Sequence, residues 1–303
     1  MNQEIIAESK PVQSLSPTAE AWRRLRRNPV AAACGVYILA LVLIALFANV
    51  LKPDGYDRAD FVHTFADASP THALGTDQQG RDVLSRIIFG ARISLGVALV
   101  VVTIEVVIGL TLGLVAGYYS GATDMALMRV TDVMFSFPDI LLAILLVAVV
   151  QPGPGKALSP QVSLLTLFIA LGLVYWPGLA RLVRGQALAL RNREYVEAAR
   201  AMGVRDRTII VTHLLPNILS PIIVQVTQDI AQVMLAEATL SFLGLGVQPP
   251  FPSWGRMIQD ALQFKEAHPL LLLAPTLALA LTVMSFNFFG DALRDALDPR
   301  LRE

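Results

Sequence analysis

Val30 to Leu51 reads VAAACGVYILALVLIALFANVL, an unbroken apolar stretch of 22 residues. Wound as a helix it is about 33 Å long, enough to cross a hydrocarbon core of about 30 Å. Asn28 and Pro29 suit the N-cap and first turn of such a helix. The residues before it are polar and end in Trp22-Arg23-Arg24-Leu25-Arg26-Arg27. That is not the layout of a cleavable signal peptide, so the stretch is expected to stay in place as an anchor.

Outward from this anchor the theme repeats. A polar segment from Lys52 to about Arg92 is too hydrophilic to span. Further apolar segments follow at about Ile93–Gly117, Val133–Val150, Val162–Leu182, Ile218–Leu240 and Leu270–Phe289, giving six expected spans. Gln151-Pro152-Gly153-Pro154-Gly155 reads as a turn between the third and fourth. The composition agrees: 54% hydrophobic and 16% charged residues with a mean hydropathy of +0.58, against about 25% charged in a soluble domain. Twenty-four basic residues balance 24 acidic ones, so no excess of basic charge points to nucleic acid. With a cytoplasmic N-terminus, 16 Lys and Arg fall in inside segments and 8 outside, the expected bias. The chain reads as an all-α polytopic membrane protein: tail 1–29, first helix 30–51, extracytoplasmic segment 52–92, core domain 93–292 with a long inside loop at 185–217, and tail 293–303.

Cys34 is the one cysteine and the four histidines are scattered, so no disulfide or metal site is expected. Asp77 and Asp82 read as turn caps. Gly109, Gly113 and Gly117 recur every four residues, a stripe that lets another helix approach closely. Glu105, Asp229 and Glu237 fall inside spans and Asp291 near the inner end of the sixth. Such groups face protein or a water-filled cavity, since facing lipid costs each on the order of 3 kcal/mol.

The inside loop between the fourth and fifth spans contains Glu194-Tyr195-Val196-Glu197-Ala198-Ala199-Arg200-Ala201-Met202-Gly203. Tyr195, Ala198, Ala199 and Met202 fall on one face of a helix, and Glu194, Glu197 and Arg200 on another. Gly203 can end that helix in the left-handed conformation, and Asp206 is placed to cap a second helix running to Leu215-Pro216. Such a helix-turn-helix could lie on the membrane surface, but its small alanines form a low profile better suited to a groove on a partner protein.

The run Glu197-Ala198-Ala199, three residues, Gly203, nine residues, His213-Leu214-Leu215-Pro216 resembles the EAA loop of bacterial ABC-importer permeases, with His213 where the general pattern has Ile. Leu74-Gly75-Thr76-Asp77, Gly80 to Arg86, Ala180 to Gln186, Ser241 to Pro250 and Phe289 to Pro299 resemble the peptide branch of that family, specifically its C-type subunit. The resemblance runs from Trp22 to Arg300. It implies a type I ABC-importer permease fold with six transmembrane helices in a bacterial inner membrane and both termini cytoplasmic. It implies no catalytic, metal or cofactor site on this chain, with ATP and Mg on partner ATPases. The partners implied are a second homologous permease, two cytoplasmic ATPase subunits and an extracytoplasmic solute-binding protein. Tyr195, Glu197, Ala198, Ala199, Met202, Gly203, Leu215 and Pro216 would form the coupling helix that docks on the ATPase. The cargo would be short peptides (di- or oligopeptides), or else nickel, glutathione or opines.

Other classes fit less well. No G-x-x-x-x-G-K-[ST] loop is present, Gly155-Lys156 being followed by Ala157. Phe288-Phe289-Gly290-Asp291 lacks the first glycine of an aspartyl-protease G-x-G-D signature, and no H-E-x-x-H occurs. A secondary transporter would explain the spans and acids, but it has no need of a docking knob and would be supported by a repeat between halves, which the sequence does not display.

Overall fold

The computed structural model describes residues 17–52, 55–150 and 159–298. Among the described residues, twelve α-helices follow in order: α1 Pro17–Arg27, α2 Pro29–Leu46, α3 Ala48–Leu51, α4 Val83–Tyr119, α5 Gly121–Phe135, α6 Asp139–Val150, α7 Pro160–Leu190, α8 Glu194–Ala201, α9 Asp206–Thr208, α10 Leu215–Phe242, α11 Trp254–Ala261 and α12 Pro269–Leu297. The same residues contain no β-strand beyond one isolated bridge, Thr76 with Asp82. Five of their helical stretches are long and apolar enough to cross a membrane, or six if the bent pair α5–α6 counts as one.

Several boundaries differ from those expected. The first span is α2, stopping at Leu46, with its N-terminal amides of Val30 and Ala31 donating to Asn28 Oδ1. The second begins at Val83 rather than Ile93, because Asp82 caps it by accepting from the Ser85 amide at 2.8 Å. The expected single span Val133–Val150 is broken: α5 and α6 meet at 86° across Ser136-Phe137-Pro138. Pro138 has no N–H for the helical ladder and disfavours helical backbone at Phe137. The expected turn Gln151–Gly155 and the outermost parts of both tails lie outside the described residues.

The bundle is built around α4 and α7, and the glycine stripe is the reason they pack. A Cβ at Gly113 would sit 2.6 Å from Ala180 O and 2.7 Å from Val183 Cβ, and one at Gly117 would sit 2.6 Å from Ala187 Cβ. Only hydrogen fits, so the two backbones touch along this seam. The helix α2 joins the bundle through Tyr37 Oη, which lies 3.0 Å from Thr282 Oγ1 of α12.

Candidate partner-docking site

The expected docking segment, α8, is held from beneath. Val196 and Ala199 are buried on the inner side of α8, at 0% and 3% exposure. They share an apolar cluster with Leu114 and Tyr118 of α4, Val183 and Ala187 of α7, and Ile209, Leu214 and Ile218 further along. Ala199 therefore turns inward, away from the face on which the helical period placed it beside Tyr195, Ala198 and Met202. Those three stay exposed with Glu197, and Met202 is 76% exposed. The pattern failed at Ala199 because the inward stripe is Val196, Ala199 and the half-buried Val204, a set the small alanines disguised.

Gly203 ends α8 at φ +76°, the left-handed turn that glycine takes without strain. No second separate helix follows. The chain is helical without a break from Asp206 to Phe242, passing through a π-helical stretch at Ile209–Leu214. Pro216 has no N–H to bond the Thr212 carbonyl, and the Leu215 amide reaches back five residues to Ile210 O. Leu215 is half-buried against the cluster and Pro216 is exposed. Asp206 makes no capping hydrogen bond; its Oδ1 accepts from Tyr118 Oη at 2.6 Å. The guanidinium of Arg200 lies 5.5 Å from the Tyr118 ring centroid. Tyr118 thus fastens the end of α4 to both sides of the Gly203 turn, a role its sequence position just after Gly117 did not signal.

Beside this knob, Arg184 of α7 grips Asp124 of α5 through two bonds of 2.5 and 2.6 Å, and Arg181 reaches Asp132 at 3.1 Å while stacking on Phe135 at 4.2 Å. The bent α5–α6 unit is pinned to α7 by these pairs.

The acids within spans separate into two kinds. Glu237 is fully buried and accepts from Ser241 Oγ at 2.6 Å and Ser94 Oγ at 3.2 Å. Glu105 and Asp229 are buried together between α4 and α10, with Gln225 Nε2 donating to Asp229 at 2.9 Å. All three face the interior of this chain. Asp291 is exposed and accepts from Gln228 Nε2 at 2.9 Å.

At the far end of the bundle, Asp77 does more than cap a turn. It accepts from the Gln79 and Arg81 amides at 2.8 and 3.0 Å, from Arg81 Nε at 2.8 Å and from Arg86, which also faces Asp260 of α11 at 3.7 Å. Asp82, beside Lys52 at 3.1 Å and His72 at 3.2 Å, is partly buried, which works against its charge. Hydrogen bonds from Ser85, Lys52 and His72 outweigh that and hold its carboxyl below the usual carboxylate range.

Residues 109–303 match the family described as binding-protein-dependent transport system inner membrane component, and residues 16–70 match the N-terminal transmembrane domain of oligopeptide transport permease C. Among curated relatives, the glutathione transport system permease protein GsiD of Pectobacterium atrosepticum is 43% identical over 95% of this chain and 92% of its own length. The dipeptide transport system permease protein DppC of Alkalihalophilus pseudofirmus is 42% identical over 95% and 92%. Among solved structures, an inward-facing conformation of the MetNI methionine ABC transporter is 20% identical, with a TM-score of 0.54, over 71% of this chain and 96% of that one. The fold is that of a type I importer permease, and the chain belongs to the binding-protein-dependent inner-membrane components, the permease subunits of ABC importers.

Proposed function

We propose that this chain forms half of the translocation route for short peptides and that α8 with its flanking residues is where a separate ATPase docks. The observation that carries the docking is the division of α8: Val196 and Ala199 root it in the bundle, while Tyr195, Glu197, Ala198 and Met202 are presented outward. An exposed edge on a buried base suits a groove on a partner. Gly203, Leu215 and Pro216 complete the site by shaping the turn and the start of α10. ATP and Mg belong to the ATPase pair, a second permease supplies the other half of the route, and a solute-binding protein delivers cargo to segments 52–92 and 241–268. Both termini, with α8, face the cytoplasm. The dipeptide and glutathione relatives support a short peptide as cargo, glutathione being itself one.

The test is ATP-dependent uptake of radiolabelled dipeptide and of glutathione into proteoliposomes holding the assembled complex, compared with Gly203→Asp. A Cβ at Gly203 meets no atom within 4 Å, and Asp tolerates left-handed backbone at a cost of about 1 kcal/mol. The variant is expected to assemble and lose uptake. Uptake of neither compound by the unmodified complex would refute the peptide reading, and full uptake by the variant would refute the docking site.

A further inference from the structure

We infer that one polar patch on the outer surface of this chain, Gln228 and Gln232 of α10 with Asn287 and Asp291 of α12, lines the water-filled route through the assembled importer, Asp291 drawing the cationic end of the cargo toward it. The inference rests on the peptide-importer reading only for the identity of that cargo.

The patch follows from the register of two spans. Gln228 Nε2 donates to Asp291 Oδ1 at 2.9 Å, and a Cβ at Gly290 would lie 3.0 Å from Gln228 Cγ, which sets these positions side by side. The two helices are joined through residues 243–268 and run in opposite directions. Toward that connection, Gln232 lies one turn on from Gln228, and Asn287 one turn on from Asp291. Positions four apart share a helix face, so the four side chains form a two-by-two patch. Gln232, Asn287 and Asp291 are exposed and Gln228 is partly so.

Such a surface does not suit lipid. Exposed threonines in the spans satisfy themselves by bonding back one turn, as Thr103 does to Leu99 O, Thr111 to Val107 O and Thr276 to Leu272 O. The longer amides of Gln232 and Asn287 make no such bond among the described residues. Amides facing hydrocarbon without partners are strongly disfavoured, whereas water and a peptide backbone supply donors and acceptors in the matching ratio. Glu105, Asp229 and Glu237 are sealed inside the chain. Asp291, by contrast, is exposed at the patch, where an ammonium group passing along the surface can reach it, with Asp295 one turn further along α12 exposed as well.

The test uses the assembled complex in a Cys34→Ala background, with Gln232→Cys and Asn287→Cys made separately and Leu39→Cys on the exposed side of α2 as control. Each is treated with membrane-impermeant methanethiosulfonate reagents, one cationic and one anionic. Both patch cysteines are expected to be labelled and the control not. Asn287→Cys should favour the cationic reagent by about tenfold, the low end of what a focused field gives, and Asp291→Asn should abolish that preference. Patch cysteines as unreactive as the control would overturn the inference, placing the face against lipid or the second permease. Labelling without a charge preference would overturn the part assigned to Asp291. Dipeptide uptake by the unmodified complex is scored separately, so a wrong cargo and a wrong surface give different results.

Discussion

The seam between α4 and α7 permits a graded test, because its glycines differ in the room they leave. Ordinary carbon contact begins near 3.4 Å; a Cβ at Gly113 or Gly117 meets an atom at 2.6 Å, 0.8 Å too close, and one at Gly109 meets atoms at 3.0 Å, 0.4 Å too close. Gly96 lies on the same helix with nothing within 4 Å of its Cβ. Overpacking a tight contact costs about 1–3 kcal/mol, while Gly→Ala in a helix gains up to about 1 kcal/mol where space allows. The neighbours at Gly113 are a backbone carbonyl and a β-branched side chain, neither of which can yield by rotating. Gly113→Ala and Gly117→Ala should each lose about 1–2 kcal/mol net, Gly109→Ala should lie near zero, and Gly96→Ala should be neutral or slightly stabilising. Thermal unfolding of the purified chain in detergent, followed by circular dichroism, measures the order. If Gly113→Ala melts with Gly96→Ala, the helices are not in backbone contact and the account of the seam fails.

Two further outcomes follow from single side chains. Tyr118→Phe removes a bond to the Asp206 carboxylate, worth about 1.5–3 kcal/mol for a charged acceptor, and should make the Gly203 turn more susceptible to protease; equal cleavage of the two proteins would argue against Tyr118 as the fastening. Asp77→Ala leaves Arg81 and Arg86 without their carboxylate in a site where Asp77 is 4% exposed, which should cost about 3–5 kcal/mol, and a melting temperature unchanged from wild type would contradict it.

Much of this was legible in the residues because membrane helices and tight seams are written locally. Val30–Leu51 showed a span by length alone, and Gly109, Gly113 and Gly117 showed a close-packed face without naming its partner. What escaped depended on several elements at once. The break at Ser136–Pro138 lies inside apolar sequence whose average hydropathy hides it. Asp206 sits where a cap belongs, yet it is taken by Tyr118, some 88 residues away. Ala199 carries too small a side chain to declare which way it faces until Val196 and Val204 are seen beside it. Asp77 has the spacing of a turn cap, and only the approach of Arg86 and α11 makes it the centre of a buried ion cluster.

The docking proposed at α8 would be tied to the membrane bundle by the way that helix is seated. A helix of eight residues has no rigidity of its own in water, but α8 is held by Val196 and Ala199 among side chains of α4, α7 and α10. Beyond Gly203 the chain enters a helix of 37 residues that carries Asp229, Gln228 and Gln232 and ends beside the buried Glu237 network. A displacement of α8 therefore reaches the polar patch along a continuous backbone rather than through a flexible tether. Along that backbone, the sites with weakened hydrogen-bond ladders are the π-helical stretch at Ile209–Leu214 and the prolines Pro216 and Pro221. All lie between α8 and the polar positions Gln228 and Gln232. Bending is cheapest there, so these residues set how much of a displacement at α8 reaches the membrane half of the helix, which the bond from Ser94 to Glu237 ties to α4.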